Sequence, residues 1–380
     1  MNLALKDILH APARFALTVA CVAFLITAAS GMVGLYRGIV ADALLIVERV
    51  GADLWIVQKD KAGPFSERSV IPASLERRVA GLAGVSNARR FVQLSQQFAH
   101  EGHPLRAAIV GVDVSADDGD WIALSRGRMI RRGRFEAVAD RSVGLSLGDR
   151  VTIAGEDYAI VGLAEGMVDL AGDGMMFLAI NDVLAIAGHR TAAEIRASGH
   201  HAGSAASKGG DPEVAAILAT LEPGADAAAV IAAMEAWGDV SVLTRDDQRR
   251  LLLDQRLWRL RVQILAFTLV LLAVTTIVVS LIVYTMTMEK LHTIAMLKLM
   301  GARRRVIAAM ILQQAALIGV MGFAAGLALA AAVFPHFPRR VLIEPMDAAV
   351  LFAAVAVLAI TAGLVGIRRA TRVRAQDVLA

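Results

Sequence analysis

The chain has 380 residues, 57% of them hydrophobic and 19% charged, with a formal net charge of +4. Its mean hydropathy of +0.59 excludes an ordinary soluble enzyme and marks a membrane protein. The basic excess does not describe a nucleic-acid binder, because it is split: residues 41–256 hold 23 Lys and Arg against 30 Asp and Glu, and the remainder holds 16 against 5. That is the pattern of basic membrane flanks around a mildly acidic soluble domain. Cys21 is the single cysteine, which excludes an intrachain disulfide and a Cys-based metal site.

Residues 1–14 mix Leu3, Leu5, Ile8 and Leu9 with Lys6, Asp7 and His10. They read as a short interfacial helix along a membrane surface, or as a frayed tail. The uncharged run Phe15–Tyr36 is long enough to cross a ~30 Å hydrocarbon layer, so a first membrane helix is placed at residues 15–40. That run exceeds the ~7–15-residue core of a signal peptide, and Gly31, Gly34 and Gly38 suggest helix packing rather than a cleavage site.

Residues 41–244 form one soluble domain of ordinary size. Alternating or β-branched runs predict strands at Asp53–Gln58, Arg90–Phe98, Leu105–Val112, Arg150–Ile153, Tyr158–Leu163 and Met175–Ala179, with a hairpin turn at Gly155-Glu156-Asp157. Asn181 is placed as the cap of a short helix ending at Gly188. Residues 198–210 are a Gly/Ser/Ala-rich loop. A strand at Ala215–Leu221, a turn at Pro223-Gly224, a helix at Asp226–Trp237 and a strand at Asp239–Leu243 complete an α+β pattern.

Thr244 and Asp247 form a capping box that starts a helix at Arg245. Nothing breaks this helix until past Tyr284, and at 1.5 Å per residue roughly 40 residues make about 60 Å, twice a bilayer core. Residues 245–288 are therefore a stalk followed by the second membrane helix, and Leu253, Leu257 and Leu260 form the stalk's packing stripe. A connector follows at 289–305, a third span at 306–333, a Pro-containing loop at 334–346, a fourth span at 347–367 and an Arg-rich tail at 368–380. Gly319, Gly322 and Gly326 allow a neighbouring helix to approach the third span closely. The expected fold is an α-helical membrane protein with four transmembrane helices and an α+β extracytoplasmic domain inserted between helices 1 and 2. The connector and tail carry dense Lys and Arg close to spans, which places them and the N-terminus in the cytosol and the domain outside. Arg256, Arg259 and Arg261 at the outer end of the second span, and Arg339 and Arg340 in the outer loop, run against this rule.

No Gly-x-x-x-x-Gly-Lys-Ser/Thr occurs, so no phosphate-cradling loop is present. There is no Gly-x-Ser-x-Gly elbow and no His-Glu-x-x-His. His189, His200 and His201 read either as a metal cluster or as a polar loop, the latter being the simpler. Asp117-Asp118 and Asp246-Asp247 read as solvated or helix-start charges. No ionisable side chain lies mid-span, which argues against an ion or proton pathway. The connector offers Leu291, Ile294 and Leu297 on one helical face, flanked by Glu289, Lys290, His292, Thr293 and Lys298, and stops at Gly301-Ala302. It reads as a helix pushed by a soluble partner, or as a plain juxtamembrane helix.

Thr293-Ile-Ala-Met-Leu-Lys298-Leu-Met-Gly301-Ala302 resembles the Glu-Ile-Gly-x-x-Lys/Arg-Ala-x-Gly-Ala signature of the permeases related to MacB and FtsX, the type VII ABC transporters. The span layout and the Arg374–Leu379 tail are similar too. Ala52–Val57 and Leu221–Asp226 look most like the DevC branch. Thr293 stands where the family usually has Glu, and Gln376-Asp377 where it has Ala-Glu. The resemblance implies a homodimer in a bacterial inner membrane, bound through Glu289, Lys290, His292, Thr293, Ile294, Leu297, Lys298, Gly301 and Ala302 to a cytoplasmic ABC ATPase dimer. ATP and Mg would sit in that partner, and this chain would hold no cofactor and catalyse nothing. An HlyD-type periplasmic adaptor and an outer-membrane channel would complete a tripartite pump working by mechanotransmission. It would export a hydrophobic or amphipathic substrate reached from the lipid side. The alternative is an FtsX-like signalling subunit that regulates a periplasmic hydrolase.

Overall fold

The computed structural model describes residues 12–197, 211–289, 296, 304–337 and 339–372. Two compact units are present: residues 39–258, and residues 1–38 with 259–380. The expected N-terminal interfacial helix through residue 11, the loop 198–210, nearly all of the connector and the end of the tail lie outside the described residues.

Helix α1 runs Pro12–Arg49, past the boundary at residue 40 expected from hydropathy. Arg37, Asp42, Glu48 and Arg49 interrupt the apolar run but not the helix, because ordinary helix formers tolerate charge. Its last turns bury Leu44, Leu45, Ile46 and Val47 in the domain core.

The domain contains two sheets. Strands β1 (Leu54–Gln58), β3 (Val85–Phe91), β12 (Ala216–Leu221) and β13 (Val240–Thr244) form an antiparallel sheet in the order β13-β1-β12-β3. Strands β4 (Gln93–His100), β5 (His103–Val112), β6 (Leu124–Gly127), β7 (Glu136–Asp140), β8 (Arg150–Ile153), β9 (Glu156–Ala164) and β10 (Met175–Ala179) form a mixed sheet in the order β4-β5-β10-β7-β9-β6, with β8 on β9. A small ribbon pairs β2 (Ile71–Pro72) with β11 (Glu213–Val214). Helices α2 (Leu75–Ala80), α3 (Ile180–Ala197) and α4 (Ala227–Glu235) cover the sheets.

The apolar runs are continuous because the central strands are buried on both faces. In β1, Leu54 and Ile56 enter one core cluster while Trp55 and Val57 enter the other. In β10, Met176 and Leu178 face the first and Met175 and Phe177 the second.

Two sequence expectations are corrected in the domain. The strand expected at Arg90–Phe98 is two strands in different sheets, divided at Val92. Alternation continues through that junction, so periodicity cannot reveal the change of sheet. Helix α3 passes Gly188, and Asn181 lies inside it. Gly188 does not adopt the left-handed conformation of a helix stop. Four strands were not legible: β2 and β11 are two residues each, β6 is exposed throughout, and β7 has acidic ends around Ala137-Val138-Ala139.

After β13 comes α5 (Arg245–Arg250), then a π-helical segment Leu251–Arg256, then α6 (Trp258–Glu289). The expected unbroken α-helix is therefore interrupted before the span. The Leu257 amide donates to Leu252 O at 2.9 Å, an i→i+5 bond. Helix α7 runs Arg304–Val333, and α8 runs Pro345–Arg372. Among the described residues, three stretches are long and apolar enough to cross a membrane: Phe15–Arg49, Trp258–Ile282 and Leu312–His336. The described apolar part of α8 is the shorter Pro345–Val357.

Candidate functional site

Polar and close backbone contacts concentrate at the root of the second long helix and at the segment strapped across α1, and the sequence adds the connector.

At the root, Thr244 ends β13 and caps α5. Its hydroxyl lies 2.6 Å from Asp247 Oδ2, the Asp247 amide donates back to Thr244 Oγ1 at 3.2 Å, and the Thr244 amide donates to Asp247 Oδ2 at 3.1 Å. This closes the capping box expected from the sequence. Gln248, fully buried, donates to Gly63 O at 2.7 Å. Leu252 is 0% exposed and Leu257 4%. The π turn brings these two onto one face, since they sit five apart. The predicted stripe used 3.6 spacing, so it named Leu253 and Leu257 and missed Leu252. Leu253 packs half-buried on the domain core, and Leu260 is half-buried within the membrane unit.

The chain enters and leaves the domain at one place. β1 pairs with β13, with Leu54 opposite Thr244. Arg245 reaches Ala52 O at 3.3 Å, and Arg249 lies 3.9 Å from Glu48. Arg89, 9% exposed, donates to Val50 O just beyond α1 and pairs with Asp117 at 2.5 Å. Trp121 Nε1 donates to the same carboxylate at 2.9 Å. Asp117 is thus a buried partner of Arg89, not the solvated charge that its Asp-Asp sequence suggests. A helix end held by an arginine on its terminal carbonyls follows from the unpaired acceptors there.

Further out, Arg128 clamps Glu136 at 2.6 and 3.1 Å, and the Arg131 and Arg132 amides add bonds of 3.0 Å. The Arg128 bond holds the Glu136 carboxyl down at about 2. Burial pushes the Tyr158 hydroxyl up to about 12, and burial raises Asp182, which accepts the Phe135 amide at 2.8 Å. These groups tie loops to sheets. Among the described residues no His/Cys/Asp/Glu group can hold a metal ion. His200 and His201 lie outside the described residues.

In the membrane unit, Gly322 and Gly326 of α7 meet α1. A Cβ on Gly322 would lie 2.6 Å from Val22 Cγ1, and one on Gly326 would lie 3.0 Å from Ala23 O. Thr27 Oγ1 donates to Gly326 O at 2.9 Å. Gly319 is buried on the same helix. Gly34 and Gly38 differ from the expectation of helix packing. They receive an extended segment, residues 340–343, that crosses α1. The Leu342 amide donates to Gly34 O at 3.0 Å, and a Cβ on Gly34 would lie 2.6 Å from Val341 Cγ1. A Cβ on Gly38 would overlap the Arg340 carbonyl oxygen. Glycines in a span permit any close backbone approach, and the sequence does not say whether helix or loop arrives. Arg37, beside them, pairs with Glu344 at 2.8 Å and with Asp347.

Of the connector, Glu289 is the last described residue of α6, while Lys290, His292, Thr293, Ile294, Leu297, Lys298, Gly301 and Ala302 lie outside the described residues.

Residues 15–237 match the family model of the MacB-like periplasmic core domain, and residues 265–375 match that of the FtsX-like permease C-terminal region. The periplasmic region of MacB from Actinobacillus actinomycetemcomitans is similar at 9% identity and a TM-score of 0.39, over 54% of this chain and 95% of that one. The extracellular domain of the noncanonic ABC-type transporter YknZ from Gram-positive bacteria is similar at 12% identity and a TM-score of 0.34, over 51% of this chain and 99% of that one. No curated protein matches.

Proposed function

The chain belongs to the MacB/FtsX-like family of type VII ABC permeases, and from that premise we propose that it is the membrane subunit of an ATP-driven exporter working by mechanotransmission. It is a multipass membrane protein, and a permease of this family works with an ABC ATPase. In this reading four helices span an inner membrane, α8 being the fourth, with both termini cytoplasmic and the domain periplasmic. Two copies of the chain bind two copies of the ATPase through residues 289–302. ATP and Mg are held by that partner, not by this chain. An HlyD-type adaptor and an outer-membrane channel receive the motion on the far side, and a hydrophobic or amphipathic substrate is driven outward.

The observation that carries the reading is the shared root of the domain. The chain enters at Val50–Leu54 and leaves at Thr244–Leu252 through one strand pair and one set of ion pairs. A displacement of the segment Arg245–Leu257 is therefore met by packed, hydrogen-bonded neighbours rather than by a slack linker. Packed elements with few alternative arrangements pass displacement on instead of absorbing it. The interrupted α5–α6 path fits this only if the π segment stays seated, which Gln248, Leu252 and Leu257 favour.

The test is ATP turnover of the reconstituted complex. Leu297→Glu and Gly301→Pro are expected to lower permease-dependent turnover by on the order of tenfold, a usual coupling magnitude. Unchanged turnover in both variants would overturn the proposal. The signalling reading shares this root and this ATPase. Transport of a lipid-like probe by proteoliposomes, absent in that case, separates the two.

A further inference from the structure

Arg339 and Arg340 are among the arginines that run against the membrane-topology argument. They follow α7 at the opposite end of that span from the basic connector. The structure places both on the wall of a cleft of about 690 Å³ between the last turns of α7, the strap 339–344 and the start of α8. The rest of the wall is mainly apolar, with Leu327 and Ala330 from α7, Phe334, and Val341 from the strap. Alanines at 330, 331 and 348 leave the space that larger side chains would fill.

We propose that this cleft binds one anionic phospholipid, its phosphate on Arg340 and Arg339 and one acyl chain along α7.

Three observations converge on that ligand. The first is charge. Arg340 is exposed and makes no ion pair among the described residues. The wall carries two arginines against one carboxylate, Glu344, which shares the Arg37 guanidinium with Asp347. The cleft therefore presents net positive charge to an anion, and a guanidinium fork matches a phosphate. The second is amphipathy. The basic rim sits directly beyond the apolar stretch Leu312–His336, at the depth where a headgroup meets its chains. The third is rigidity. The strap is pinned by the Leu342–Gly34 bond at 3.0 Å, by close contact with Gly38 and by the Arg37 pairs, so the cleft is formed before a ligand arrives. Its volume lies within the ~300–1,000 Å³ usual for small-molecule sites. The site needs neither the ATPase nor transport.

The experiment uses the purified full-length chain, delipidated in mild detergent and offered equal phosphatidylglycerol and phosphatidylcholine, with bound lipid read by native mass spectrometry. One phosphatidylglycerol per chain is expected, retained about tenfold over phosphatidylcholine, since one charge-assisted contact is worth that much. Arg340→Gln, at an exposed side chain, is expected to lose most of that preference. Ala330→Phe, which fills the cleft, is expected to lower retention of both lipids while the chain stays monodisperse. Equal retention of the two lipids, or a preference unchanged in Arg340→Gln, overturns the proposal. So does full displacement by millimolar inorganic phosphate, which would show that the tail contributes nothing. In a Cys21→Ala background, a Phe337→Cys chain that forms a disulfide-linked dimer would overturn it too, because a second copy would then cover the cleft.

Discussion

Gly38→Ala and Gly188→Ala are the same chemical change in two helices and are expected to act with opposite sign. Alanine in a helix interior is worth roughly 0.5–1 kcal/mol over glycine. At Gly188 nothing lies within 4 Å of the added Cβ, so that gain is realised. At Gly38 the added carbon would overlap the Arg340 carbonyl oxygen and lie 2.8 Å from its carbonyl carbon. Those are backbone atoms, so no side-chain rotation relieves the clash and the strap itself must move. Forced overpacking costs about 1–3 kcal/mol. Loss of the Leu342–Gly34 hydrogen bond, 3.0 Å in the native strap, adds about 1 kcal/mol. The steric cost exceeds the propensity gain, leaving Gly38→Ala roughly 1–3 kcal/mol less stable. The assay is SDS-induced unfolding of the full chain from mixed micelles, followed by far-UV circular dichroism. A Gly38→Ala chain as stable as the parent would show that the strap does not rest on α1.

Arg37→Gln leaves Asp347 without its cation at a side-chain exposure of only 14%, and about 1–3 kcal/mol is expected in the same unfolding assay. Glu344→Gln, at 58% exposure, should cost under about 1 kcal/mol; the reverse ranking would refute the assignment of Asp347 as the main partner. Leu252→Ala removes a side chain that is 0% exposed and is expected to destabilise the domain by about 3 kcal/mol or more, read from urea midpoints. Leu253→Ala should cost clearly less, because its side chain is only half-buried. Glu136 titrates at about 2 in the folded chain against 4.5 ordinarily. A lowered folded value gives stability that is full above the ordinary value and is lost as pH falls through that window. Urea midpoints should therefore drop between pH 5 and 3 in the parent, and the drop should be smaller in Glu136→Gln.

Much of the domain was legible because its strands carry their burial in local composition. β1, β5 and β10 are runs with both faces apolar, and the capping box at Thr244 lies within four consecutive residues. β7 was not legible, because Glu136 and Asp140 look like surface charges and are buried through partners outside the strand, among them Arg128, the Arg131 and Arg132 amides and the Met167 and Ser142 amides. The π segment was missed for a similar reason. Its pattern of three leucines fits an α-helix, and only the seat for Leu252 in the domain core favours the wider turn.

Sequence alone determined the apolar stretches, the acidic domain between basic flanks, most strands and the capped start of the second long helix. Each depends on residues within one or two turns of each other. Tertiary structure decided which partners meet: the sheet change at Val92, the common root where the chain enters and leaves the domain, the arginine that holds the end of α1, and the loop rather than a helix on Gly34 and Gly38. These join residues as far apart as Gly34 and Leu342. Hydropathy and periodicity report only whether a side chain prefers to leave water, and not which surface it leaves water against.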